Sequence, residues 1–183
     1  MLERTAHPNT RTMLEAWRRM ETSPYDSVAA NPIIGEPSAL IGNIFVLREG
    51  SGGCWLFRTA GEALSGYFGK NVCDQDFLDL WMGSDRGLAQ SVAEAVIAER
   101  SPGVIRARGE TLTGGVLQVE IAVAPLPHRP GMARRLLGHY QPLGGEKLIE
   151  SRPIWRHAIT EIHAPQRQTK RKRPHLQLVS SRD

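Results

Sequence analysis

Residues 57–81 constrain the fold more than any other part of the chain, since they read FRTAGEALSGYFGKNVCDQDFLDLW and change structure type abruptly. An aromatic-rich strand is predicted to end near Thr59. Apolar residues then recur at helical spacing over residues 62–68, and Gly69 can close that helix in a left-handed conformation. Residues 77–81 repeat the apolar spacing. Helices this short need a surface to pack on, so the flanking strands are expected to form one.

The other predicted elements supply that surface. Apolar and polar residues alternate over residues 116–125, which indicates a strand with one buried face and one more polar face. The whole order is two strands, several short helices, one longer helix and three strands. It predicts an α+β fold with a five-stranded antiparallel sheet and helices on one face. The predicted strands are residues 40–48, 54–59, 104–111, 116–125 and 133–140, and the longer helix is 84–100.

The two ends of the chain lie outside this predicted sheet. An amphipathic helix is predicted over residues 10–20, and we favour a lid on the domain's own core over a helix that docks on a partner. The predicted organisation is an N-terminal helix with an extended lead-in over 1–39, a globular domain over 40–143 and a C-terminal segment over 144–183. Within that last segment, residues 151–163 are predicted to form a short amphipathic piece, and disorder is expected from about residue 164.

The positive charge of the chain is concentrated in its C-terminal segment. Residues 1–150 hold 15 Lys+Arg and 17 Asp+Glu, a balance of −2, whereas residues 151–183 hold 8 and 2, a balance of +6. A short basic cluster could contact nucleic acid, anionic lipid or an acidic protein patch. We favour a solubilising tail, because no aromatic residues interrupt the cations. The cluster consists of Lys170, Arg171, Lys172 and Arg173.

Cysteine usage and hydropathy indicate a compartment. Cys54 and Cys73 are too few for a disulfide framework, so a reducing environment is expected. The N-terminus has no apolar core of a signal peptide, and no apolar run approaches the roughly 20 residues of a membrane span. We expect a soluble, cytoplasmic protein.

The sequence carries no recognisable catalytic or metal-binding pattern. His128, His139, His157 and His163 are not spaced as metal ligands with carboxylates or thiols, so solvated or packed histidines are expected. No nucleophile has a base and an orienting partner at a known spacing. We therefore predict that the protein is not an enzyme and holds no metal.

The sequence nevertheless contains a series of short motifs in a definite order. Phe-Arg-x-Ala-Gly leads into a helix ending Phe-Gly, followed by Phe-x-x-Leu-Trp, an Asp-Arg pair and late Pro-Leu and Leu-Gly dipeptides. This order resembles the PAS domain, and more narrowly the small stand-alone bacterial PAS proteins grouped as the fifth PAS family. The resemblance covers residues 40–143 and, more weakly, Trp17. The motif residues are Phe57, Arg58, Ala60, Gly61, Phe68, Gly69, Phe77, Leu80, Trp81, Asp85, Arg86, Pro125, Leu126, Leu137 and Gly138.

Two departures from that family pattern fall at the edges of the match. The chain has Glu36-Pro37 where the family often has Asp-Pro, and residues 73–76 where a Gly often precedes the Phe-x-x-Leu-Trp element. They affect the lead-in and the mouth of any pocket more than the fold.

The resemblance implies a sensory function. PAS domains bind small molecules between the sheet and its helices, or associate through the outer sheet face and terminal helices. A pocket here would have aromatic walls, and an arginine could meet an acidic ligand group. The alternative, which we favour, is that the aromatic residues fill the core. The candidate pocket residues are Phe57, Phe68, Phe77 and Trp81, with Arg58 or Arg106.

No PAS cofactor is predicted. Cys73 lies in Asn-Val-Cys-Asp, which does not match the Asn-Cys-Arg-like helix of flavin photosensors, and residues 84–100 contain no histidine to serve as a haem ligand.

The resulting hypothesis is a single-domain PAS-type sensory or regulatory protein of bacterial signalling. It would act by small-molecule sensing, by protein association including homodimerisation, or by both, with an unidentified signalling partner. The alternative is a nucleic-acid-associated regulator that uses the basic tail. Truncation after Pro165 distinguishes the two, because association through the PAS domain should survive it and tail-mediated nucleic-acid binding should not.

Overall fold

The computed structural model describes residues 5–22, 38–128, 131–149 and 152–166. Within these ranges no helix is long and apolar enough to cross a membrane. The helices are α1 (Pro8–Thr22), α2 (Ser38–Ile41), α3 (Glu62–Phe68), α4 (Ser84–Glu99) and α5 (Glu146–Ile149), with 3-10 helices at Ser51–Gly53 and Phe77–Leu80. The strands are β1 (Ile44–Glu49), β2 (Trp55–Ala60), β3 (Gly103–Thr111), β4 (Val116–Pro125), β5 (Arg135–Gly144) and β6 (Ile154–His163).

All six strands belong to one antiparallel sheet with the order β2-β1-β5-β4-β3-β6. The predicted α+β class, with an antiparallel sheet, short helices and an N-terminal amphipathic helix, is confirmed. The sheet has six strands rather than five, because residues 154–163 pair with β3 from Val104 opposite His163 to Thr111 opposite Ile154. The prediction of a separate amphipathic piece over residues 151–163 is therefore corrected to a strand of the sheet.

The sixth strand escaped prediction because two bulges interrupt its alternation. The register with β3 shifts between Glu110 and Thr111 and again between Arg106 and Ala107, so that Trp155 and Thr160 are extra residues. The apolar or core-facing residues of β6 therefore follow spacings of three, two and three rather than a strict two. Spacings of three residues are typical of one face of a helix, so this sequence resembles an amphipathic helix. These residues are Ile154, His157, Ile159 and Ile162.

The inner face of the sheet carries the main hydrophobic core. Helix α3, the 3-10 helix 77–80 and α4 cover it, and side chains from every strand contribute to it. Gly69 ends α3 with a φ of 64°, as the sequence predicted, and a side chain there would also collide with the ring of Pro153. The core is continuous from β2 to β6.

Helix α1 covers part of the outer face, so it is a lid on the molecule's own sheet. Met13, Leu14 and Trp17 are each 1% exposed and pack on Ala122, Ala124 and Leu137, among others. The indole Nε1 of Trp17 donates a 2.7 Å hydrogen bond to the carbonyl of Pro125.

Residues 74–85 connect the two edges of the sheet across the inner side. At the β2 edge, the Phe57 amide donates to the Gln75 carbonyl at 3.0 Å, and the Asp74 amide donates to the Phe57 carbonyl at 2.8 Å. At β6, the Ile159 amide donates to Asp85 Oδ2 at 2.9 Å. Unpaired strand edges promote association, and this segment satisfies part of both edges.

Candidate ligand-binding site

A cleft of about 220 Å³ opens between α3, the 3-10 helix 77–80 and the start of β6. Its position follows from two of the sequence features above: Gly69 stops α3 early, and residues 70–76 then cross to the β2 edge. The floor is apolar and the rim is polar. The lining residues are Phe57, Phe68, Val72, Leu80, Pro153, Ile154 and Trp155, with Lys70, Gln75, Asp76 and Asp79.

A chain of aromatic rings in edge-to-face contact runs from the cleft into the core behind it. The ring centroids of Phe45 and Phe57 are 5.4 Å apart, those of Phe57 and Phe77 are 6.0 Å apart, and those of Phe77 and Trp81 are 5.9 Å apart, all edge to face. Each such contact is worth about 0.5–1.5 kcal/mol beyond the area that it buries. Phe77 and Trp81 therefore form part of the core behind the cleft rather than its wall.

The deepest polar group of this region is the pair Tyr140 and His157. The Tyr140 hydroxyl lies 2.8 Å from His157 Nε2, and both side chains are buried. Burial lowers the pKa of His157 to about 4, against a weaker opposing effect of the Leu80 backbone. Burial also raises the pKa of Tyr140 well above its usual value. The imidazole is thus neutral near pH 7, and its Nε2 can accept a hydrogen bond from the protonated tyrosine.

Two buried nitrogen atoms beside this pair make no hydrogen bond within the described ranges. They are Nδ1 of His157 and Nε1 of Trp81, whose rings are 5.2 Å apart. An unpaired buried polar group costs about 1–3 kcal/mol. Both atoms belong to the core behind the cleft and not to its lining.

The acidic residues at the rim are held by one arginine. Arg86 donates to Asp76 at 3.0 Å and to Asp79 at 2.6 Å. Asp76 also accepts the amide of Leu78, which caps the 3-10 helix. Lys70 forms no ion pair in the part of the chain that the structure describes, so its ammonium group is the cation at the rim that is free to contact a ligand. The predicted Asp-Arg pair is thus structural: Asp85 binds β6, and Arg86 binds the 3-10 helix.

The structure brings together four of the six predicted pocket residues. Phe57 and Phe68 line the cleft, and Phe77 and Trp81 lie behind it. Arg58 and Arg106 lie on the opposite face of the sheet, because successive residues of a strand point to opposite sides and Phe57, Ile105 and Ala107 point inward. Neither arginine can contact a molecule in the cleft.

Sequence reasoning missed Tyr140 and Trp155 and weighed His157 only as a packed or solvated residue. His157 and Tyr140 lie on non-adjacent strands, so no local pattern joins them. The irregular spacing within β6 hid the strand that brings Trp155 to the cleft.

Other predicted functional groups stand as follows. Lys170, Arg171, Lys172 and Arg173 lie outside the described residues, so their contact with an anionic partner stays a prediction. Over residues 5–22, 38–128, 131–149 and 152–166, no three His, Cys, Asp or Glu side chains are grouped as a metal site requires. Cys54 and Cys73 are free thiols.

Comparison with known proteins gives one family match. The profile of a family described as PAS domain matches residues 6–141. A search of curated proteins found no match. Among solved structures, 24 chains match. One, described as an RNA-binding Light-Oxygen-Voltage receptor, is similar at 15% sequence identity with a TM-score of 0.46, over 71% of this chain and 38% of that chain. This chain thus spans well under half of that receptor's length.

Proposed function

Because the chain belongs to the PAS domain family, we propose that it is a sensory or regulatory protein that binds a small molecule in the cleft between α3 and β6. PAS domains are generally sensory rather than catalytic, and they commonly mediate ligand binding and association. The observation that carries this proposal is the cleft of about 220 Å³, which opens directly onto the aromatic core.

The lining supports a small ligand with an apolar body and a polar end. Ligand pockets typically have volumes of about 300–1,000 Å³, so this cleft suits a small metabolite. The rings of Phe57 and Phe68 would take the apolar part. Lys70 at the rim can donate to a hydrogen-bond-accepting group of the ligand, because Asp76 and Asp79 are both bound to Arg86 and neither forms an ion pair with Lys70 in the described residues.

The proposed output is association in bacterial signalling, including homodimerisation. Phe57 and Gln75 line the cleft and form the bridge to the β2 edge, and β6, which begins at the cleft, takes part in the second bridge through Ile159 and Asp85. A ligand that shifted the 3-10 helix 77–80 would alter both bridges, and with them the surface available to a partner. Since α1 already covers part of the outer face, partners would use other surfaces.

Native mass spectrometry of the protein purified from its host tests ligand binding and association together. We expect a reproducible extra mass that is lost on denaturation, and a shift in oligomeric state between the loaded and unloaded forms. Trp155→Ala removes a cleft wall that is 41% exposed, so the fold should be retained and the loaded fraction should fall.

Leu112→Ala is the matched control, because Leu112 is 81% exposed and does not line the cleft. Its loaded fraction should equal that of the wild type. A wild-type protein without any bound mass, or equal loading of the Trp155→Ala protein, would contradict the proposed ligand site.

A further inference from the structure

A second pocket, of about 260 Å³, lies on the outer face of the sheet, where β2, β1 and β5 are adjacent. The sheet separates it from the cleft described above. Its floor is apolar and its rim is basic. The lining residues are Val46, Pro127, Met132 and Ala133, with Arg48, Arg58, Arg135 and His128.

The backbone places three arginines around this pocket. Arg48 of β1 lies directly opposite Arg135 of β5 in the strand register. Val46 pairs with Thr59 and Leu47 with Phe57, so Arg58 is the extra residue of a β-bulge. Bulges redirect side chains and are common beside functional sites. Like charges directly opposite each other destabilise a sheet, so this arrangement is unfavourable without a counterion.

Other arginines of the chain form closer ion pairs with carboxylates than these three do. Arg86, Arg106, Arg134 and Arg156 each form an ion pair with a glutamate or aspartate, with Glu49 already bound to Arg134.

The contacts of the pocket arginines are weaker. Arg48 reaches Asp74 at 3.4 Å, and the Asp74 side chain is 75% exposed. Among the described residues, the Arg135 side chain reaches only the Pro127 carbonyl, also at 3.4 Å. The Arg58 side chain makes no hydrogen bond or ion pair with any residue that the structure describes. Exposed ion pairs of this kind are worth about 0–1 kcal/mol. The three arginines (+3) and Asp74 (−1) together leave a net charge of about +2 beside the pocket.

We propose that this outer pocket binds the phosphate group of a small molecule. A phosphate monoester carries a charge of about −1.5 to −2 at pH 7, which matches three guanidinium groups better than a single carboxylate does. The planar guanidinium binds phosphate oxygens in pairs. The apolar side chains of Val46, Pro127 and Met132 would contact the organic part of the ligand. This second site does not depend on the ligand proposed for the inner cleft.

Calorimetric titration of the full chain with phenyl phosphate at low ionic strength tests the proposal. Phenyl phosphate supplies both the phosphate and an apolar ring, and benzoate supplies the ring with a single carboxylate. We expect phenyl phosphate to bind and benzoate to bind more weakly. Arg58→Gln should weaken phenyl phosphate binding about tenfold or more, because it removes a charge-assisted hydrogen bond. Arg135→Gln should have the same effect.

The matched control is Arg108→Gln, which removes an exposed arginine from β3 and leaves the pocket intact. It should leave the affinity unchanged, and circular dichroism should show that every variant is folded. Equal weakening by Arg108→Gln would overturn the proposal, since it would indicate a general charge effect.

Two further titrations test whether the pocket instead binds the phosphate groups of a membrane or of a nucleic acid. Anionic phosphatidylglycerol vesicles and an RNA oligonucleotide are each added to wild type and to the Arg58→Gln protein. If phenyl phosphate does not bind while vesicles or RNA bind in an Arg58-dependent manner, the site recognises a membrane or a polynucleotide and the proposal fails. If phenyl phosphate binds and depends on Arg58, the proposal stands.

Discussion

His157 is a neutral imidazole enclosed by aromatic rings. Its ring centroid lies 6.0 Å from that of Phe68, 5.2 Å from that of Trp81 and 5.7 Å from that of Tyr140. A charged imidazole at this position would lose its hydration without gaining a counterion, which is why burial lowers the pKa to about 4. The hydroxyl of Tyr140 provides the hydrogen bond that makes a neutral histidine acceptable in this core.

This pKa predicts a pH-dependent stability. In the unfolded chain the pKa of a histidine is about 6.5, so between pH 6.5 and 4 the unfolded state binds the extra proton. The contribution of His157 is complete above pH 6.5 and falls as the pH decreases towards 4. From pH 6.5 to 5 it should lower the free energy of unfolding by about 2 kcal/mol. Denaturant unfolding across this pH range measures the loss.

A pair of variants isolates this effect from that of other titrating groups, including His139, whose pKa burial also lowers to about 4. Tyr140→Phe alone keeps His157 and should keep the slope. His157→Leu combined with Tyr140→Phe leaves no orphaned hydroxyl and should reduce the slope by the contribution of one histidine. Identical slopes in the two proteins would show that His157 is not the group that titrates.

Helix α1 is attached to the sheet by a polar layer as well as by Trp17. Glu120 of β4 is fully buried, and its Oε1 accepts the His7 amide at 2.9 Å. Its Oε2 accepts Arg106 at 3.0–3.1 Å. Arg106 also binds Glu161 of β6 and the carbonyl of Thr5. One arginine therefore joins the segment that leads into α1, the centre of the sheet and its last strand.

Removing this arginine should be costly. Arg106→Met leaves the Glu120 carboxylate buried without a counterion, and breaking a buried pair in this way costs about 3–5 kcal/mol of stability. Because 27% of the Arg106 side chain is exposed, the loss should lie near 3 kcal/mol. Urea unfolding at pH 7 measures it.

Arg108→Met is the control on the same strand and face, since that side chain is 50% exposed and 3.7 Å from Glu110. It should change stability by less than about 0.5 kcal/mol. The double variant Arg106→Met, Glu120→Leu removes both charges and should recover most of the loss. Equal effects of the two arginine variants would mean that Glu120 does not depend on Arg106.

The elements differ in how far local sequence determines them. Helix α3 has the predicted bounds, because its apolar spacing and the glycine after it agree. Strand β1 begins at Ile44, since residues 38–41 form a helix instead. Arg58 illustrates the limit for the sites: its neighbours do not follow from local sequence, because Arg48 and Arg135 come close to it through strand pairing and a bulge.

The whole molecule extends beyond the part that the family profile matches. The match ends at residue 141, whereas β6 begins at Ile154. Strand β6 nevertheless pairs along most of β3 and supplies Ile154 and His157 to the core. Its Ile159 amide also donates a hydrogen bond to the Asp85 side chain. Asp85 of the family's Asp-Arg motif thus binds a strand that lies beyond the match. We infer that β6 is part of the folding unit and not a tail.

Two truncated chains test this inference. The chain 1–166 keeps every described strand, so it should unfold cooperatively at nearly the temperature of the full chain. The chain 1–150 leaves the β3 edge unpaired, uncovers Tyr140 and Phe68 and loses the buried Ile154, whose burial alone is worth about 2 kcal/mol. Since domains are stable by only about 5–15 kcal/mol, we expect 1–150 to have no cooperative thermal transition by calorimetry. A sharp transition in 1–150 near that of 1–166 would show that the matched segment folds without β6. It would also show that the cleft, with Ile154 and Trp155 in its wall, is an addition to a complete domain.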